Sequence, residues 1–162
     1  MTRLARWMAI DLGDRRVGLA ISDPGGMIAS PAGFVERRPG KRPPLTALLE
    51  RAATLEARGF VVGLPLDQHG EDSPRALEAR RLAHELATRT GLPARLVDER
   101  FTTAAALQAI AAMGGSTRGR KGDVDAMAAT LLLQHAMRMA EGESEREGTA
   151  FTTEGTEDGT NG

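Results

Sequence analysis

Cysteine and tyrosine are absent from this 162-residue chain, and aromatic residues, with a single Trp, make up 3% of it. Without cysteine there is no disulfide scaffold, no thiolate zinc site and no cysteine nucleophile. Such staples are not needed, since a chain near this size buries roughly 70% of the surface it would expose unfolded. So few aromatics leave no platform on which single-stranded bases stack. Long apolar runs are missing too. Trp7-Met8-Ala9-Ile10 stops at Asp11 and Leu131-Leu132-Leu133 stops at Gln134, far short of the roughly 20 residues that span a bilayer. Arg3 and Arg6 lead into no apolar stretch of signal-peptide length. These absences predict a cytoplasmic, soluble protein with no membrane partner.

What is present is ordinary in amount and uneven in placement. The hydrophobic fraction of 41% and charged fraction of 27% match average folded chains and predict one domain. The net charge of −1 conceals an asymmetry: from residue 141 onward seven acidic residues face one basic, which leaves 15 acidic and 20 basic in residues 1–140, a charge of +5. Nineteen of the 21 basic residues are Arg, which grips phosphate bidentately where Lys offers a point charge. A basic body points to a polyanionic partner. The stretch EGESEREGTAFTTEGTEDGTNG has too little apolar surface to order itself. The domain is therefore expected over 1–140, followed by a disordered acidic tail over 141–162.

Within the body, RWMAID and VGLAISD read as strands joined by a turn at Gly13–Arg16, with a third short strand at Ala32–Glu36. Leu45, Leu48, Leu49, Ala52 and Leu55 recur at helical spacing between Pro43 and Arg58, with Gly59 as the stop. Phe60–Val62 is a buried strand. A helix opens at Ser73-Pro74, an N-cap and first-turn pair, and ends at Gly91. Ala94–Val97 is a strand, Thr102–Met113 a helix, and Val124–Ala140 a last helix. The order βββαβαβαα predicts an α/β fold, a mixed five-stranded sheet flanked by helices.

Asp11 closes the first strand, Glu99 (beside Asp98) follows the fifth, and Asp125 opens the last helix. Functional groups of open α/β sheets gather beyond the strands' carboxyl ends, so the three can converge. Clustered carboxylates repel one another unless cations lie between them, and hard ions such as Mg²⁺ or Mn²⁺ want that oxygen cage. Each acid also has a plainer reading: Asp125 or Asp123 caps a helix, and Asp98 or Glu99 merely ends a strand.

The stretch Asp11-Leu12-Gly13-Asp14-Arg15-Arg16-Val17-Gly18-Leu19-Ala20 resembles the D-x-G-x-x-x-x-G-x-A signature that opens ribonuclease H-like and actin-like folds. Gly13 and Gly18 are expected to let the backbone approach a ligand closely. One lobe of this length cannot form the interdomain cleft of actin-like ATPases. Val61-Val62-Gly63-Leu64-Pro65-Leu66 with Gly70 and Ser73-Pro74-Arg75-Ala76, then Leu96-Val97-Asp98-Glu99-Arg100-Phe101-Thr102-Thr103, then Lys121 through Asp125-Ala126-Met127-Ala128-Ala129 with Leu132 and Gln134, resemble the ordered blocks of the YqgF (RuvX) family. The resemblance covers about residues 7–138. It implies a ribonuclease H-like fold related to Holliday-junction resolvases, and a nuclease maturing the 5′ end of pre-16S ribosomal RNA. It also implies that Asp11, Glu99 and Asp125 are the catalytic, metal-binding acids. Asp14, Asp67 and Asp123 depart from the family pattern. Asp14 and Asp123 add negative charge near the acids, and Asp123 competes with Asp125 or caps the helix.

Cationic side chains supply the other half of a nuclease site. Arg118, Arg120 and Lys121 lie in a glycine-rich loop before the last helix, suited to clamping phosphates. Arg15, Arg16 and Arg100 adjoin the acids, as substrate ligands or as ion pairs holding carboxylates in place. His69 sits in a turn near a strand end, whereas His84 and His135 lie on helices. The reading is a phosphodiesterase using two Mg²⁺ or Mn²⁺ ions on structured nucleic acid, precursor rRNA or branched DNA, as a monomer or homodimer. The alternatives are a DNA junction resolvase and a non-catalytic RNA-binding module of ribosome assembly.

Overall fold

The computed structural model describes residues 5–101, 123–140 and 142. Strands β1 (Trp7–Leu12), β2 (Arg16–Ser22), β3 (Ala29–Glu36), β4 (Gly59–Leu64) and β5 (Ala94–Asp98) form one sheet in the order β3-β2-β1-β4-β5. β1–β2 and β2–β3 pair antiparallel, and β1–β4 and β4–β5 pair parallel. Helices α1 (Leu45–Thr54) and α2 (Pro74–Thr90) are joined by a helix over 123–140, α3. The expected mixed sheet with flanking helices is present. The helix expected at Thr102–Met113, the loop carrying Arg118, Arg120 and Lys121, and all of the 141–162 tail except residue 142 lie outside the described residues.

Strand periodicity sorts side chains into two cores. Met8, Ile10 and Leu12 of β1 join Val17, Leu19, Phe60, Val62 and Leu64 beneath α1 and α2. On the opposite face Trp7, Ala9, Ala20 and Val61 meet Ala129, Leu132, Leu133 and Ala136 of α3. β1 and β4 are buried along their full length, as central strands covered on both faces must be. Asp11 has the parity of Trp7 and Ala9, so it belongs to the α3 face. A carboxylate thus sits in a row of core residues.

The elements end by recognisable chemistry. Ser73 Oγ accepts from Ala76 N at 3.1 Å at the start of α2, Pro74 follows, and Gly91 (φ 71°) closes it in the left-handed region. α1 differs from expectation. It stops at Thr54, and Glu56 (φ 56°) takes the left-handed position, with Glu56 N bonded to Ala53 O and Ala57 N to Ala52 O. That is a Schellman closure built on a glutamate. Gly59 is not the stop; it opens β4, where a Cβ would come 2.7 Å from the Trp7 indole. β3 begins three residues earlier than expected, at Ala29, and as an edge strand it tolerates Pro31.

Candidate functional site

Asp11 lies one residue before the end of β1 and is 2% exposed; Glu99 follows the last residue of β5 and is 8% exposed. Parallel pairing of β1 with β4 and β4 with β5 brings these carboxyl ends to the same edge of the sheet, with β4 between them. Two glycines make room for them. Gly63 of β4 would place a Cβ 2.2 Å from Glu99 Oε1, and Gly18, the register partner of Asp11, would place one 2.1 Å from the Asp125 carbonyl oxygen. Gly18 therefore admits the backbone of α3, not a ligand as the sequence suggested. Gly13 closes the β1–β2 turn through Gly13 N to Arg16 O at 3.0 Å.

The electrostatics match that burial. Burial in the first place, then the hydrogen bond and charge of Asp11, push the Glu99 carboxyl up to about 9. A Glu99 carboxyl raised this far keeps its proton at neutral pH, since like charges in contact resist ionising together. The Asp125 carboxyl is also raised, by burial first, against the lowering effect of Arg16. Arg16 Nε donates to Asp125 Oδ2 at 2.9 Å, which ties α3 to the start of β2. Among the described residues no three acidic or imidazole side chains stand in metal-ligating geometry: Asp125 is turned to Arg16, while Asp11 and Glu99 face each other.

Neighbouring acids separate by direction. Asp98 is gripped by its near neighbour Arg100, whose Nη2 lies 2.8 Å from Oδ2, and that bond holds the Asp98 carboxyl below its ordinary value. Asp98 is thus committed locally, and Glu99 is the acid that enters the site. Asp123 is exposed in the first described turn of α3, while Asp125, partly buried, is the one that reaches Arg16 and feels Asp11. Asp14 is exposed and ion-paired with Arg75, so its charge is offset.

Arg15 is exposed at the β1–β2 turn, where its carbonyl accepts from Arg37 N at 2.7 Å. Arg100 serves Asp98 and also reaches Asp67 O at 3.4 Å. His69 is exposed, and its backbone N–H is held by Asp67 Oδ1 at 2.8 Å, an Asx turn that shapes the β4–α2 loop. Two participants had escaped the sequence reading. Arg75, in the first turn of α2, lends its positive charge to Glu99. Its signal was the strand–loop–helix order, which returns a helix N-terminus to the strands' carboxyl end. Arg37, its side chain 7% exposed, donates to Gly13 O at 3.1 Å, to Lys41 O at 3.0 Å and to Glu78 at 2.6 Å. It clamps the turn after Asp11 to α2, and nothing local in the sequence announces such a long-range bond.

All donors at the site are hard carboxylate oxygens, the set that suits Mg²⁺ or Mn²⁺. Asp11 and Glu99 present buried oxygens of that kind, and Asp125 Oδ2 is engaged by Arg16.

Residues 5–139 match the RuvX family, described as Holliday junction resolvase. A relative from Clavibacter michiganensis subsp. michiganensis, named "Putative pre-16S rRNA nuclease", is 40% identical over 135 residues, 83% of this chain and 84% of the relative. A Streptomyces coelicolor relative of the same name is 40% identical over 147 residues, 89% of this chain and 83% of the relative. Among solved structures, Thermus thermophilus RuvC in complex with a Holliday junction substrate aligns with a TM-score of 0.51 at 18% identity, over 85% of this chain and 96% of that one. That likeness establishes a ribonuclease H-like fold.

Proposed function

The chain belongs to the RuvX family, and from that premise we propose that it is a nuclease cleaving phosphodiester bonds of ribosomal RNA precursors at the Asp11–Glu99–Asp125 end of the sheet. The observation that carries the site assignment is the buried Asp11–Glu99 pair, accommodated by Gly63, with the Asp125 backbone admitted by Gly18. Burying two carboxyls costs stability unless a bound cation or a proton neutralises them. Such a cost has a functional reason in a site that holds metal.

Asp11 and Glu99 would hold Mg²⁺ or Mn²⁺, with Asp125 as the third acid. A bound ion of this kind acts as a Lewis acid and lowers the pKa of its water. Around it the chain's own groups have separate tasks. Arg16 exchanges Asp125 for a substrate phosphate, Arg75 offsets negative charge beside Glu99, and the Arg37 clamp keeps Gly13 and hence Asp11 in place. Arg15, Arg100 and the Arg118–Lys121 loop supply further phosphate contacts. A nuclease of ribosomal precursors acts in the cytoplasm. In keeping with that, no helix among the described residues is long and apolar enough to cross a membrane.

The test is cleavage by the purified protein of a precursor rRNA carrying its 5′ extension and of a four-way DNA junction, with Mn²⁺ and with chelator. Mn²⁺-dependent cutting of the RNA, lost in Asp11→Asn, Glu99→Gln and Asp125→Asn but kept in Asp123→Asn, is expected. Cutting of the junction alone would move the substrate to branched DNA. Wild-type rates in all three principal variants would end the nuclease assignment to this site.

A further inference from the structure

A second cationic surface lies on the opposite face of the sheet from the carboxylates. Between the start of α1 and the side of α2 runs a groove of about 410 Å³, floored by Pro43, Leu45 and Leu82 and edged by Arg42, Arg81 and Arg89. Two carboxylates, Glu78 and Glu85, also line it. Glu78 is already neutralised by the buried Arg37 at 2.6 Å, so three guanidiniums face one remaining negative charge.

Four other arginines, on α2 and around the carboxylates, have carboxylate partners. Arg16 pairs with Asp125, Arg75 with Asp14, Arg80 with Asp72, and Arg100 with Asp98. The contrast is sharpest at adjacent positions. Arg80 binds Asp72 through both its Nε and Nη2, at 3.0–3.1 Å, while Arg81, one residue on, turns to the groove. Among the described residues, Arg42, Arg81, Arg89 and Glu85 enter no ion pair. Like charges gathered on one surface repel, and a polyanion relieves that repulsion with a gain.

One helix connects the groove with the site. α2 carries Arg75 beside the carboxylates, and its next turn begins the groove at Glu78. From Arg75 to Arg89 the helix rises about 21 Å, the axial length of about six base pairs. An apolar floor between cationic edges suits sugar carbons flanked by phosphates. Glu85 is the one groove charge of the wrong sign.

We propose that the Arg42–Arg81–Arg89 groove binds the phosphate backbone of a nucleic-acid arm that runs on from the cleavage site along α2. The proposal rests on the nuclease reading, which supplies the scissile end of the same strand.

The experiment measures binding of full-length protein in chelator to two substrates sharing one cleavage region, one with its arm lengthened by about ten base pairs, enough to cover the helix. Wild type is expected to bind the longer substrate more tightly, with a steeper salt dependence. Combined Arg42→Gln, Arg81→Gln and Arg89→Gln should erase the gain from arm length. It should also lower the log–log salt slope for the longer substrate by up to about 2.7, equivalent to about 40-fold in affinity between 50 and 200 mM salt. Glu85→Gln should act oppositely and tighten binding of the longer substrate. RNA and DNA arms, run in parallel, show whether the groove reads the backbone shared by both or only an RNA-form helix. If the triple variant keeps the wild-type gain while wild type cuts both substrates under Mn²⁺, the groove assignment fails and the nuclease reading stands. If the triple variant loses the gain and wild type cuts neither, the groove stands and the nuclease reading fails.

Discussion

At the scale of single residues, the site depends on what Gly63 lacks. A Cβ there would lie 2.2 Å from Glu99 Oε1, a separation at which the carboxylate must move. Gly63→Ala is therefore expected to reduce cleavage at least as strongly as it lowers stability, which overpacking of this kind reduces by about 1–3 kcal/mol. Comparing thermal melts with cleavage rates checks this, and a variant that cuts normally would show that Glu99 is free to sit elsewhere. Glu99 itself makes stability depend on pH. Its carboxyl, ordinarily near 4.5, is raised to about 9 in the folded chain, so between those values the folded state keeps a proton that the unfolded state has lost. Stability is then fully present below about pH 4.5 and declines as pH climbs through about 9. In chelator, Glu99→Gln should flatten that decline, seen as melting temperatures converging between pH 5 and pH 8.5. Mn²⁺ should reverse the ranking at pH 8, stabilising wild type by mass action on a site that Gln weakens. Equal pH profiles for both proteins would mean that Glu99 is ionised throughout.

At the scale of elements, the end of α1 carries a cost that the sequence concealed. Glu56 holds the left-handed position of a Schellman closure (φ 56°), which disfavours a residue with a Cβ by about 1–2 kcal/mol. Glu56→Gly should recover part of this, about 0.5–1 kcal/mol after the greater freedom of glycine in the unfolded chain is counted; denaturant midpoints decide. The nearby Gly59 looked like the stop because helix ends favour glycine, yet it is needed by the ring of Trp7, its register partner on β1. Local signals worked where the determinant is local: the cap Ser73-Pro74, the stop Gly91, the strand ends carrying Asp11 and Glu99. They failed where the determinant is a neighbour distant in sequence. Gly18 answers to Asp125, Gly63 to Glu99, and Arg37 to Gly13 and Glu78. The choice of Asp125 over Asp123 likewise gains support from a distant partner, Arg16, whose Nε donates to Asp125 Oδ2.

At the scale of the whole molecule, charge is divided along the chain. The body carries the arginine-lined groove and the site cations, while the last 20 residues carry six acids and one arginine. Gly142 is helical and makes contacts of its own, so the cut that separates the two parts is made after that residue. It changes the formal net charge from −1 to +4. A negative segment tethered to a cationic surface competes with a polyanion for it, and the competition is electrostatic. The truncated protein should therefore bind precursor rRNA more tightly at low salt, with the difference narrowing as salt screens both interactions. Its melting temperature should stay close to that of the full chain, because a stretch this poor in apolar residues has little surface to bury. The two readouts separate the explanations. A melting temperature lowered by several degrees would mean that the segment packs against the body. An affinity gain that persists undiminished at high salt would mean that it blocks the surface by bulk rather than by charge.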